Sequence, residues 1–113
     1  MRQPINVHKT NKYRNQKSIW KDIVFDSKKE LHRFQELQLL ERAGEITNLQ
    51  RQVTYRLIPA FGDERGVSYR ADFVYQEDNK TVVEDVKGVR TPVYILKRKI
   101  LKWRFPDILF RET

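Results

Sequence analysis

The chain has 113 residues, of which 39% are hydrophobic, and this is enough for one domain with a modest core. It contains no cysteine, which excludes a disulfide scaffold, thiol catalysis and cysteine-ligated zinc, and no apolar run approaches the roughly 18 residues of a membrane span. The formal net charge of +8 favours a polyanionic partner such as nucleic acid, because each neutralised phosphate releases condensed counterions. We therefore expect a cytoplasmic protein that binds nucleic acid.

The first 19 residues are basic and show no hydrophobic period, so we predict an N-terminal arm that is mobile or ordered only on a partner. A single domain is predicted over residues 20–113. It begins with a short extended segment that contains Trp20, Ile23 and Phe25. A second basic cluster lies near the C-terminus and consists of Lys97, Arg98, Lys99, Lys102 and Arg104.

The first helix is predicted to begin at Ser27. The string SKKE is a capping box, in which Ser27 accepts a hydrogen bond from the amide of Glu30 and the Glu30 side chain reaches back. A glycine, Gly44, is predicted to end the helix in the left-handed conformation. The apolar stripe between these signals consists of Leu31, Phe34, Leu37 and Leu40.

Three strands are predicted after this helix, at about 52–58, 68–76 and 81–87. They are rich in β-branched and aromatic residues, and the polar turn at 77–80 indicates that the second and third form an antiparallel hairpin.

A second helix is predicted to begin with Thr91 as its N-cap and Pro92 as its first residue, and Pro106 ends it. The tail DILFR is predicted to form a last strand. The order is therefore α-β-β-β-α-β, an α/β (α+β) fold with a mixed central sheet flanked by two helices. The predicted buried face of the second helix consists of Val93, Leu96, Ile100 and Trp103.

The third predicted strand carries a carboxylate and a lysine on one face. Because side chains alternate along a strand, Asp85 and Lys87 point the same way, and Glu84 points to the opposite face. The second strand places Asp72 in an apolar run, so Asp72 and Asp85 converge if the two strands pair. Two carboxylates that share a site repel each other, and a hard, oxygen-liganded cation such as Mg²⁺ keeps both ionised.

Each of these residues also has a structural explanation. Asp85 and Lys87 can form an ion pair on one face of the strand, and Asp72 can be a solubilising charge at a strand edge. Their combination on adjacent strands of a basic protein favours the metal site.

Several motifs occur in a fixed order: FDSKKE at 25–30, AGEI at 43–46, YRADFVY at 69–75, VVEDVKG at 82–88 and T-x-x-Y-x-L-K-x-K at 91–99. From about residue 20 to its end the chain thereby resembles the PD-(D/E)XK nuclease superfamily, whose core has a restriction-endonuclease-like α-β-β-β-α-β order. It is most similar to a family of small phage and prophage proteins of unassigned function. One departure is Ala71, which stands where the superfamily name has proline.

The resemblance implies an Mg²⁺-dependent DNA endonuclease, with Mn²⁺ as an alternative metal, that hydrolyses phosphodiester bonds and leaves a 5′-phosphate. A structured substrate, such as a Holliday junction or fork in phage replication or recombination, suits so small a chain. A homodimer would supply two cuts, and a phage-encoded enzyme would act in the host cytoplasm.

The resemblance also implies which residues form the site. Asp72, Asp85 and Lys87 are the catalytic residues, and the metal ligands are Asp72, Asp85 and the Val86 backbone carbonyl. Glu30 is a further catalytic and metal-binding candidate, although the capping box already accounts for a glutamate there. The candidates for DNA contact, some of which could equally form a solvated basic surface, are Lys28, Lys29, Tyr94, Lys97, Arg98, Lys99 and Lys102.

Two other functions remain open at this point. A non-catalytic nucleic-acid-binding module on the same fold would need the basic clusters but not the acidic pair. A small phage adaptor protein would need neither, and its charge would serve solubility. On the first strand, Gln52 either assists the site or is a surface residue.

Overall fold

The computed structural model describes residues 17–113, so the predicted arm lies outside the described residues up to residue 16. The first element is an antiparallel hairpin of β1 (Ser18–Trp20) and β2 (Ile23–Phe25), where a single extended segment was predicted. Ser18 and Ile19, the first two residues of β1, were predicted to belong to the arm, so the fold begins earlier than predicted. The hairpin forms because Lys21 and Asp22 both adopt positive φ, 50° and 65°, in the two-residue turn.

The first helix, α1, spans Lys28–Arg42, and the predicted N-cap and C-terminal glycine are confirmed, whereas the Glu30 side chain turns to Arg51 and does not reach back to Ser27. The Ser27 hydroxyl accepts a hydrogen bond from the Glu30 amide at 3.1 Å. Gly44, with φ 81°, follows the C-cap residue Ala43 in the left-handed conformation.

The central sheet has four strands in the spatial order β3-β4-β5-β6. The two hairpin-like pairs, β3–β4 and β4–β5, are antiparallel, and the pair β5–β6 is parallel, which confirms the predicted mixed sheet with two helices. The remaining elements are β3 (Thr47–Ile58), β4 (Val67–Glu77), β5 (Lys80–Asp85), α2 (Pro92–Arg104) and β6 (Leu109–Glu112).

The two helices cover opposite faces of the sheet. Residues of α1 pack in one core cluster with Phe73 and Val82, and residues of α2 pack in another with Val74 and Val83. Neighbouring residues such as Val82 and Val83 therefore lie on different faces, as strand alternation requires. The result is three layers, α1 on the sheet on α2, with two thin cores.

The predicted buried face of α2 is wrong at three of its four positions, and only Ile100 packs against the core. Val93, Leu96 and Trp103 are 63%, 58% and 80% exposed, and Ile100 is half-buried. The residues that face the sheet are instead Tyr94 and Leu101, which are two turns apart and almost fully buried. The stripe on α1 is correct for Phe34 and Leu37, whereas Leu40 at its C-terminal end is exposed.

Strand β3 contains two residues with positive φ, Asn48 at 56° and Gln52 at 54°. Gln52 stands opposite Asp72, between the paired residues Arg51–Phe73 and Val53–Ala71. Residues that are two positions apart in a regular strand share a face of the sheet. Ala71, however, packs in the core cluster that contains residues of α2, and Phe73 packs in the one that contains residues of α1. The alternation of β4 is therefore interrupted at Asp72.

No helix within residues 17–113 is long and apolar enough to cross a membrane.

Candidate active site

Two carboxyl groups meet where β4 and β5 approach the N-terminal end of α1. The carboxyls of Asp72 and Asp85 are close enough for each to affect the pKa of the other. The Val86 amide donates to Asp72 Oδ2 at 2.8 Å, so the backbone just after β5 also lies against Asp72. The structure therefore brings together the three residues that the sequence proposed as metal ligands on the sheet.

Burial and proximity make ionisation of this pair unfavourable. The pKa of Asp72 is raised from 3.8 to about 6, first by burial and then by the neighbouring Glu30 carboxylate. The pKa of Asp85 is also raised to about 6, again first by burial and also by Asp72, while the Tyr69 hydroxyl and the Lys87 ammonium oppose the rise. The two carboxyls therefore hold their protons more tightly than exposed aspartates do.

The predicted lysine stands beside this pair. Lys87 Nζ lies 3.2 Å from Asp85 Oδ1, and Lys87 stands two residues beyond the end of β5, not within the strand as predicted. The Lys87 amide donates to the Thr113 carbonyl at 3.0 Å, which extends the β5–β6 ladder past the strand end. The backbone of the lysine is thus fixed next to the carboxylates.

A buried tyrosine that sequence reasoning did not identify holds Asp85. Tyr69 in β4 is 4% exposed, and its hydroxyl donates to Asp85 Oδ2. Burial raises the pKa of Tyr69 well above its ordinary value, so the hydroxyl keeps its proton and remains a donor. The two residues are far apart in the chain, and only the β4–β5 pairing brings them together.

Glu30 faces the same cluster from the first turn of α1. It is 4% exposed, and its Oε1 lies 4.0 Å from Nη2 of Arg51, whose guanidinium stands 4.5 Å over the Phe25 ring. The cap at Ser27 uses the Glu30 amide, so capping and a place in the site are compatible. Arg51 in β3 is a second residue that the sequence analysis missed.

The donor set suits a hard divalent cation. Within residues 17–113, no group of three or more His, Cys, Asp or Glu side chains is arranged to hold a metal ion by itself. Mg²⁺ commonly binds one or two carboxylates and completes its coordination with water and substrate phosphate. Asp72 and Asp85 supply two neighbouring carboxyls, the number that such a site uses.

A cavity of about 310 Å³ opens onto the site. Its lining includes Glu30, Asp72 and Lys87, together with Lys29, whose Nζ donates to the Lys87 carbonyl at 3.1 Å. Lys28, the neighbouring DNA-contact candidate, is exposed. The cavity therefore reaches Glu30 and Asp72, whereas Asp85 lies behind it and does not belong to its lining.

The other DNA-contact candidates lie elsewhere. Arg98, Lys99 and Lys102 line a separate cavity of about 430 Å³ beside β6, whose lining does not include Asp72, Asp85 or Lys87. Arg98 Nη1 is 3.2 Å from Glu112 Oε2, and Lys97 is half-buried. Tyr94 lines the smaller cavity, but it is 7% exposed and its hydroxyl donates to Glu112.

Glu84 lies on the opposite face of β5, as strand alternation predicts. It is fully buried and accepts a hydrogen bond from Arg33 Nη2 at 3.1 Å and another from Thr113 Oγ1 at 3.0 Å. Tyr75 also donates to it. This network fixes β5 against α1 and holds the strand end that carries Asp85.

No curated protein and no solved structure matches this chain. One protein family matches residues 10–112, nearly the whole sequence, and it is described as "Protein of unknown function (DUF1064)". This match includes every residue of the candidate site. The chain is a member of the DUF1064 family.

Proposed function

We propose that this chain is an Mg²⁺-dependent DNA endonuclease of the PD-(D/E)XK type, with Mn²⁺ as an alternative metal. The observation that carries the proposal is the meeting of Asp72 and Asp85 carboxyls, both with raised pKa, beside the Lys87 ammonium. The mixed sheet between two helices agrees with the α-β-β-β-α-β core of that superfamily. The motif resemblance extends over the same elements.

In this proposal, Asp72, Asp85 and the Val86 carbonyl hold the cation, and Glu30 contributes from α1. The metal, when bound, lowers the pKa of a water molecule and neutralises negative charge on the phosphate. Lys87 orients the water or stabilises the pentavalent phosphate with its ammonium group. Tyr69 keeps one Asp85 oxygen in place by donating to it.

The substrate is DNA, held by its backbone. The Lys29 side chain lies at the mouth of the site, and Lys28 and the basic residues of α2 offer further phosphate contacts. Backbone contacts fix position without reading sequence. A chain of this size therefore suits a structured substrate, such as a Holliday junction in phage recombination, cut by a homodimer in the host cytoplasm.

A cleavage panel tests the proposal. Linear, nicked, forked and four-way DNA are incubated with Mg²⁺, Mn²⁺ or a chelator, and we expect metal-dependent cutting with 5′-phosphate ends. Asp85→Ala and Lys87→Ala should each lower the cleavage rate by about 100-fold or more while DNA binding is retained, because charge stabilisation in the transition state is lost. Lys80→Ala, at the other end of β5, is the matched control and should cut like the parent.

Each rival function gives a different result in the same panel. If the parent binds DNA but cuts no substrate with either metal, the chain is a non-catalytic binding module. An adaptor protein would bind no DNA even at low salt. Asp85→Ala and Lys87→Ala variants that cut as fast as the parent would show that the nuclease site lies elsewhere.

A further inference from the structure

The ammonium group of Lys87 is held between two groups. On one side lies Asp85 Oδ1 at 3.2 Å, and on the other the ring of Tyr94, whose centroid is 4.2 Å from Nζ. A cation over an aromatic face is attracted by the ring quadrupole. The position of the Tyr94 ring therefore decides where the ammonium rests.

Tyr94 is itself fixed by Glu112. The Tyr94 hydroxyl donates to Glu112 Oε2, and the same carboxylate accepts from Arg90 Nε at 3.1 Å and from Arg98 Nη1 at 3.2 Å. Glu112 thus receives donors from the segment before α2 and from two turns of α2. This carboxylate connects the helix to β6.

The strand register places this anchor next to the site. Glu112 is the partner of Asp85 in the parallel β5–β6 ladder, so the two acidic residues occupy neighbouring positions on adjacent strands. Asp85 supports Lys87 directly, and Glu112 reaches the lysine through Tyr94.

We propose that Glu112 is a positioning residue for Lys87 and acts through the Tyr94 ring. The inference rests on the proposed catalytic role of Lys87. A lysine side chain has four rotatable bonds and large rotamer entropy, so an ammonium group next to a reacting phosphate needs support from more than one side. Two anchored supports, Asp85 and Tyr94, restrict the ammonium to one place.

A purely structural role for Glu112 would look different. In that case the carboxylate joins β6 to α2, and its loss weakens the fold without moving Lys87. The two roles are separated by measuring the lysine itself and not only stability or overall activity.

Nuclear magnetic resonance of the full-length protein gives the direct readout. Protons next to Lys87 Nζ lie over the Tyr94 ring and should show an upfield ring-current shift, assigned by its loss in Lys87→Ala. We expect Glu112→Ala and Tyr94→Phe to reduce this shift. Glu112→Gln should preserve it, because the glutamine oxygen still accepts from the tyrosine hydroxyl. Tyr94→Phe keeps the packed ring, so it decides the test if Glu112→Ala does not fold.

Cleavage kinetics supply the second readout. Tyr94→Phe should lower kcat by about ten- to a hundredfold with little change in KM, the size of effect expected when a catalytic group is misplaced. In the Lys87→Ala background Tyr94→Phe should lower kcat no further, because the effects of substituting residues that act as a unit are not additive.

The outcomes separate the inference from the proposed function. An unchanged Lys87 shift in both Glu112→Ala and Tyr94→Phe overturns the inference, and so do additive losses in the double variant. If the shift moves as expected but the parent cuts no DNA, Glu112 does position Lys87 and the nuclease proposal fails.

Discussion

Asp72 and Asp85 are buried next to other carboxylates, with Glu30 opposing the ionisation of Asp72 and Asp72 opposing that of Asp85. Both pKa values are raised to about 6, and burial is the first cause in each case. Above that pH the folded protein holds two negative charges in a poorly solvated place, a cost that a bound cation removes. The two carboxyls of the proposed site therefore weaken the fold at neutral pH.

This cost predicts how stability changes with pH. A carboxyl with a higher pKa in the folded state binds its proton more tightly when folded. The contribution of this pair to the free energy of unfolding should therefore be highest below pH about 4 and fall as pH rises through about 6. For the coupled pair we expect a loss of about 2–3 kcal/mol, since one pKa unit corresponds to about 1.4 kcal/mol.

Asp72→Asn tests this expectation in metal-free buffer. The variant should be more stable than the parent at pH 7 by about 1–2 kcal/mol and should show a shallower decline, measured by urea denaturation at a series of pH values. Asparagine can still accept the Val86 hydrogen bond. Glu45 is exposed and lies outside the cluster, so the stability of Glu45→Gln should depend on pH as that of the parent does. If the stability of Asp72→Asn falls with pH as steeply as that of the parent, Asp72 is not a source of the pH dependence.

At the scale of the elements, the sequence predicted the features that depend on residues close together in the chain. The caps at Ser27 and Thr91 depend on hydrogen bonds to amides three residues away, and both are present. The Asp85–Lys87 contact agrees with the alternation predicted from the sequence, although Lys87 lies beyond the end of β5 and its amide is held by Thr113.

What could not be predicted depends on a second element. The buried side of α2 was missed because Tyr94 and Leu101 are selected by the sheet, and the stronger apolar stripe points to solvent. Tyr69 reaches Asp85 only through the β4–β5 pairing, and the interruption at Asp72 accompanies the unusual backbone of Gln52 in the neighbouring strand. A single strand or helix pattern contains neither signal.

The orientation of α2 gives a prediction with an internal control. Leu101 is fully buried, so Leu101→Ala should lower the free energy of unfolding by about 2–5 kcal/mol. Leu96 is 58% exposed on the same helix, and Leu96→Ala should change it by less than about 0.5 kcal/mol. Denaturant midpoints measure both, and a Leu96→Ala variant as unstable as Leu101→Ala would reverse the assigned face.

At the scale of the whole molecule, charge is distributed unevenly over the three layers. The acidic residues of the site lie inside, at one end of the sheet, while α2 presents an outer surface with basic residues and no acidic ones. With a net charge of +8, the proposed binding of DNA would include an attraction that reaches well beyond the site. Such an attraction is sensitive to salt.

DNA affinity should therefore fall steeply with salt, linearly on logarithmic axes. Lys99→Ala should make this slope shallower by about one unit if Lys99 contacts a phosphate. Lys80→Ala is the matched control, because Lys80 lies at the end of β5 away from Asp85, about 17 Å along the strand. Fluorescence anisotropy at several salt concentrations measures both slopes, and equal slopes for Lys99→Ala and the parent would remove α2 from the DNA interface.

The long strand β3 is an edge strand of the sheet. A straight edge strand presents unpaired amides and carbonyls with which a strand of another molecule can pair. The left-handed residues Asn48 and Gln52 bend this border at two places. A strand from another molecule cannot run along a border shaped in this way without losing its ladder of hydrogen bonds. The irregular backbone of β3, which at Gln52 lies opposite the interruption of β4 at Asp72, thus protects the protein against aggregation through strand pairing.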